Sequence, residues 1–190
     1  MNIRTLFILA LFSAGTVVHA QQFAKSSNVI SAGIGLGSAI GGFTSSSQGP
    51  AISVQYEKGM WEIDGPGVIS LGGYAAYKSF SAGGRYGTNF TYSQKWTYTV
   101  IGVRSAYHYT GISAEKVDVY GGLMLSYNIL SYSYEDSNPS GVRFDNGSYG
   151  NALGFSVYVG GRYFFTPRLA ALAELGYGVS YLSVGLAWKL

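Results

Sequence analysis

The stretch YLSVGLAWKL, residues Tyr181 to Leu190, alternates almost perfectly. Leu182, Val184, Leu186, Trp188 and Leu190 share one face; Tyr181, Ser183, Gly185, Ala187 and Lys189 share the other. A period of two with bulky apolar side chains on one side is the mark of a strand, because successive Cβ atoms point to opposite faces of a sheet. Working outward, seven more segments carry the same period, over about 28–38, 50–58, 67–80, 95–109, 117–132, 151–165 and 168–177. In the fifth, Val117, Val119, Leu123, Leu125, Tyr127 and Ile129 oppose Asp118, Gly122, Ser126 and Asn128.

Composition says where such strands belong. Charged residues make up 11% of the 190-residue chain, against roughly 25% in a soluble domain. Too few charges remain to cover a water-facing exterior. Yet after residue 20 no apolar run approaches the ~20 residues of a spanning helix. A membrane β-barrel resolves the conflict, since its apolar residues alternate with polar ones. The expected fold is therefore all-β, an eight-stranded antiparallel up-and-down transmembrane barrel.

The first twenty residues read as an export signal. Arg4 supplies a basic start, Leu6 to Phe12 an apolar core, and Val18-His19-Ala20 a small-residue cleavage site. The expected plan is a signal peptide over 1–20 cut near Ala20, a short periplasmic segment over 21–27, and the barrel over 28–190. Eleven basic and nine acidic side chains follow residue 20, a net of +2, which is too small a bias to recruit nucleic acid. Cysteine is absent, which removes disulfides and thiolate metal sites.

The connections alternate in length. Those at 39–49, 81–94 and 133–150 are long; those at 59–66, 110–116, Thr166-Pro167 and Gly178 to Ser180 are short. Outer-membrane barrels have short periplasmic turns and long outer loops. Tyr56, Tyr107, Tyr109, Tyr163, Phe165 and Trp188 then fall at periplasmic strand ends on the apolar face, and Tyr77, Tyr127 and Tyr177 toward the outer ends. Two aromatic girdles are expected at headgroup level.

The other face carries Glu57, Lys78, Arg104, Asp118, Arg162, Glu174 and Lys189. Basic groups turned to mid-bilayer lipid would cost about 2–4 kcal/mol each. These residues are therefore expected to form a polar network that plugs the lumen. Hairpin geometry sets Glu174 opposite Gly160 or Tyr158, within diagonal reach of Arg162. Pairing Tyr109 with Val117 sets His108 opposite Asp118.

On these residues the chain resembles the small eight-stranded outer-membrane barrels of the OmpA transmembrane-domain and OmpX type, including "porin family" outer-membrane β-barrel domain proteins. The resemblance covers essentially all of 28–190. It implies a place in the bacterial outer membrane among lipid and lipopolysaccharide. It also implies contact of the C-terminal strand with the barrel assembly machinery, although the usual final aromatic residue is replaced here by Trp188-Lys189-Leu190. The implied role is envelope structure, surface binding through outer loops, or minor permeation of small solutes, without enzymatic activity.

Two other classes compete. A lipid A-modifying deacylase or acyltransferase on the same barrel would use His108 beside Asp118, but a hydrolase needs a nucleophile in reach of its base. The inward neighbours expected from the alternation are Arg104, Ala106 and Tyr120. A secreted lipocalin-like soluble barrel would need the opposite arrangement, apolar inside and charged outside.

The remaining motifs are weak. Asp136-Ser137-Asn138-Pro139-Ser140-Gly141 copies half a calcium loop, but Gly147 stands where a bidentate Glu belongs. Gly33, Gly35 and Gly37 miss the dinucleotide pattern at Ser38 and lie inside a strand. Asn89 and Asn146 head glycosylation-type triplets whose chemistry is foreign to a bacterial envelope. Tyr92, Trp96, Tyr132, Tyr134, Phe144 and Tyr149 are loop aromatics suited to anchoring a surface ligand. No catalytic, cofactor-binding or metal residue is assigned, and no cofactor is expected.

Overall fold

The structure is a computed structural model that describes residues 23–42, 46–87, 90–138 and 150–190. It contains eight long strands: β1 (Asn28–Leu36), β2 (Ala51–Ile63), β3 (Gly67–Tyr86), β4 (Phe90–Tyr109), β5 (Val117–Asp136), β6 (Ala152–Phe164), β7 (Leu169–Tyr177) and β8 (Leu182–Lys189). Each pairs antiparallel with its chain neighbours. β1 also pairs with β8, from Val29↔Lys189 to Leu36↔Leu182, which closes the barrel. Over the rows where all eight strands pair, closure leaves no sheet edge, so backbone N–H and C=O groups there are satisfied without water. The expected signal peptide lies outside the described residues.

All eight expected strands are present, with their faces as read except at Tyr181, which was expected inward but precedes β8 and is 46% exposed. Leu125, 68% exposed, and Val103, 60% exposed, represent an outer surface of bare aliphatic side chains, while Arg104, Arg162, His108 and Glu57 are buried inside. The end where β1 starts and β8 stops is called here the near end. Tyr56, Tyr107, Tyr109, Tyr163, Phe165 and Trp188 ring its outer rim, joined by Trp61 from the segment expected to be a loop; Tyr77, Tyr127, Tyr177 and Tyr181 are exposed toward the far end.

The long connections differ from expectation. The segment 81–94 is mostly strand, because β3 and β4 run as one hairpin with unbroken register from Gly67↔Tyr109 to Tyr86↔Phe90. β5 continues beside β4 as far as Tyr92↔Asp136. A two-residue strand, Ser47–Gln48, adds to β3 at Ser81 and Phe80. The outward face of this extension changes character: above the row Tyr77–Thr99–Ile129 come Ser79–Thr97–Ser131 and Ser81–Lys95–Ser133. The strands thus leave the apolar band and continue as a polar-faced sheet. Serine and threonine alternation reads as loop by composition but suits a strand with one face in water.

Candidate functional site in the barrel lumen

Alternation delivers the inward side chains, and small residues make room for them. Gly72, Gly102, Gly122 and Gly160 sit on the inner face where a Cβ would press into a neighbouring strand or side chain, at Gly122 against the Tyr158 hydroxyl 2.5 Å away. Large polar groups from opposite walls therefore meet on the axis.

Two guanidinium groups organise the centre. Arg162 donates Nη1–H to Asp118 Oδ2 at 3.1 Å and Nη2–H to Glu57 Oε2, which lies on the diametrically opposite strand. Its guanidinium also stands over the Tyr120 ring at 4.6 Å. Arg104 donates to Glu174 Oε1 at 2.7 Å, to the Tyr158 hydroxyl at 3.1 Å and to Gln55 Oε1. Its Nε lies 3.5 Å from Glu57 Oε1. The Tyr120 hydroxyl donates to Glu174 at 2.8 Å. Two cations thus face three carboxylates, all held by strands β2 and β4 to β7. Burying charge is costly unless it is paired and hydrogen-bonded, and here each charge has partners.

Below this layer, toward the near end, His108 Nδ1 lies 2.8 Å from Asp118 Oδ1 and Nε2 lies 3.1 Å from Ser70 Oγ. A carboxylate can only accept, so Nδ1 carries a proton toward Asp118, and in the neutral imidazole Nε2 is the acceptor that faces the serine hydroxyl. Ser70, His108 and Asp118 are therefore linked in a row of hydroxyl, imidazole and carboxylate, the order of groups in a Ser–His–Asp relay. All three are buried, and Phe23 stacks flat on the imidazole, centroids 3.7 Å apart and planes 10° apart. The resting relay offers a substrate no access.

Three expectations are corrected by this geometry. Glu174 is opposite Gly160 as expected, but its carboxylate goes to Arg104, since Arg162 is occupied by Glu57 and Asp118. His108 is opposite Tyr120, not Asp118; the pair sits two residues off the expected register and makes its contact diagonally, while Asp118 stands directly opposite Arg162. The nucleophile missing from the neighbours on β4 and β5 is supplied by β3, where Ser70 pairs with Ala106. Reading 81–94 as a tight hairpin would have found it, because that register alone brings Ser70 beside His108.

Elsewhere, Lys78 is buried in the far half of the lumen and donates to the Gly37 carbonyl at 3.1 Å. Lys189 is half-buried at the near mouth. Asp136 uses its carboxylate in a turn, accepting the Asn138 N–H at 2.8 Å and the Tyr134 hydroxyl at 2.9 Å; from Pro139 on, that calcium-like segment lies outside the described residues with Phe144, Asn146 and Tyr149, as does Asn89. Gly37 has φ +67° and packs against the Tyr181 ring, a strand-end role unrelated to nucleotides. A cavity of about 330 Å³ opens at the far end among Ile40, Tyr98, Ser126, Asn128 and Ser156, with none of the ionic residues in its lining.

No family model matches the chain, and no curated protein does. Among solved structures, it is similar to the N-terminal β-barrel domain of Pseudomonas aeruginosa OprF, with 13% identity and TM-score 0.49 over 87% of this chain and 98% of that one. It is also similar to the Yersinia pestis outer membrane protein Ail in a phospholipid bilayer nanodisc, with 13% identity and TM-score 0.44 over 87% of this chain and all of that one.

Proposed function

We propose that this chain is an integral protein of the bacterial outer membrane, inserted with its near end in the periplasm, non-enzymatic at rest and closed to solutes. The observation that carries the reading is the inversion of an ordinary soluble fold: aliphatic side chains outside, ion pairs within. On β5 the outward apolar run extends from Val119 to Ile129. Ten steps of about 3.4 Å each and a tilt of about 45° give roughly 24 Å, the height of the apolar band in outer-membrane barrels. Aromatic rims border the band, and Lys58, exposed beside Tyr56, has a stem long enough to bring its ammonium to lipid headgroups. A lipocalin-type soluble barrel requires the reverse polarity. The lumen at the Arg104 and Arg162 layer is filled by side chains 2% and 1% exposed, which supports structure and surface contact over permeation.

In this reading the surroundings are phospholipid and lipopolysaccharide, the closing strand β8 is presented to the assembly machinery, and the protruding β3–β4–β5 sheet is the surface offered to partners. The test is reconstitution of the detergent-extracted protein into vesicles. The expected results are flotation with the lipid, a faster-migrating gel band that shifts on boiling, and no conductance in planar bilayers. Solubility without detergent would sink the proposal.

A further inference from the structure

The near mouth holds a pocket already filled by the chain itself. Phe23 is 3% exposed and packs into an apolar cage with Val29, Val68, Phe164, Ala170 and Ala187. One face of its ring lies on His108. The segment that carries it is held to β2 at Gly59. Ser26 N–H donates to the Gly59 carbonyl at 2.9 Å, and Gly59 N–H to the Ser27 carbonyl at 2.9 Å. Ser26 holds φ 68°, a left-handed conformation that side chains disfavour. Gly59 is what lets the segment dock, since a Cβ there would lie 2.3 Å from the Ala24 carbonyl oxygen.

We propose that Phe23 is a removable stopper in a benzyl-sized acyl-binding pocket, and that withdrawing it exposes Ser70 as a nucleophile toward esters carrying an aromatic group. The apolar cage selects the ring, and the relay at its floor supplies the chemistry. The hydroxyl proton of Ser70 has two acceptors, His108 Nε2 at 3.1 Å and the Ala106 carbonyl at 3.4 Å; the imidazole is the nearer. As the Oγ–C bond forms at the ester carbonyl carbon, that proton passes to Nε2. The C–O bond to the alcohol then breaks and the departing oxygen takes the proton from His108, leaving acyl-Ser70. Asp118 holds Nδ1–H throughout and so fixes the tautomer. The inference is independent of which membrane surrounds the barrel.

Phenylmethanesulfonyl fluoride is the probe, because its benzyl group replaces the Phe23 side chain while its sulfur meets Ser70. An Oγ–S bond forms as the hydroxyl proton passes to His108 Nε2, the S–F bond breaks and fluoride leaves. Full-length wild type, F23A, F23A/S70A and F23A/H108A are folded, treated and mapped by mass spectrometry. The expected result is one phenylmethanesulfonyl group on Ser70 of F23A, at least tenfold above wild type, absent without Ser70 and lost without His108. A folded F23A barrel with no adduct on Ser70 overturns the proposal, and so does equal labelling of wild type and F23A. If F23A gives no folded band, G59A replaces it: that variant leaves Phe23 and the relay intact but denies the segment its dock, and the same labelling pattern is required of it.

Discussion

At the scale of single residues, Glu57 is the keystone of the lumen. It is 1% exposed and, among the described residues, is the one carboxylate that approaches both guanidinium groups. Removing it leaves Arg162 with Asp118 alone and deprives Arg104 of one of its two anions. Breaking a buried ion pair from one side costs about 3–5 kcal/mol, because the partner charge stays buried without compensation. Glu57→Ala should therefore lower the temperature at which the folded gel band converts to the unfolded one by more than any other single carboxylate change in the lumen. Glu174→Ala should cost less, since Arg104 keeps Glu57, Gln55 and the Tyr158 hydroxyl. The pairing also assigns the effect: Glu174→Ala should show coupling with Arg104→Met in a double-mutant cycle and none with Arg162→Met. The converse outcome would return Glu174 to the partner that hairpin geometry alone suggests.

At the scale of elements, neighbouring strands approach so closely that glycine is required on one face and indifferent on the other. Gly72 and Gly73 are adjacent on β3 and paired with the same two strands. A Cβ on Gly72 would lie 1.9 Å from the Tyr56 carbonyl oxygen, whereas one on Gly73 meets nothing within 4 Å. Backbone cannot yield as a side-chain tip can. Gly72→Ala should therefore cost several kcal/mol or abolish the folded band, while Gly73→Ala should stay within about 0.5 kcal/mol of wild type. A urea titration of folding into vesicles decides both. The same contrast shows what was legible in the sequence. Alternation around Val119 to Ile129 or Leu182 to Leu190 revealed face and strand, because a barrel with an apolar exterior and a packed polar lumen imposes a period of two. It could not reveal that Ser79 to Arg85 continues a strand, since beyond the apolar band the outward face carries serine and threonine. Partners across the lumen were hidden for a different reason. Glu57 and Arg162 are four strands apart, so no hairpin register connects them; only barrel closure does. Phe23 lies outside every strand, and its place in the mouth follows from the dock at Gly59, which carries no periodic signal.

At the scale of the whole molecule, a closed cylinder has two surfaces, and their polarity fixes the solvent on each. Val103 and Leu125 are directly opposed on β4 and β5, both pointing outward in the middle of the apolar run. Ser131 lies on the same face of β5, one row above the band. An arginine placed at Leu125 must hold its charge near the bilayer centre or distort the lipid to escape it, at a cost of about 2–4 kcal/mol that falls to about 0–1 near the interfaces. Leu125→Arg should thus reduce the free energy of folding into vesicles by that amount, Val103→Arg should do the same, and Ser131→Arg should change it little. In water the order would reverse, because Leu125 is already exposed and an arginine there would relieve an apolar patch. Equal stability of Leu125→Arg and Ser131→Arg in vesicles would mean that the outward face does not meet hydrocarbon. The depth dependence is the sharper measurement, since unfolding by general damage would not track the height of the substitution along β5.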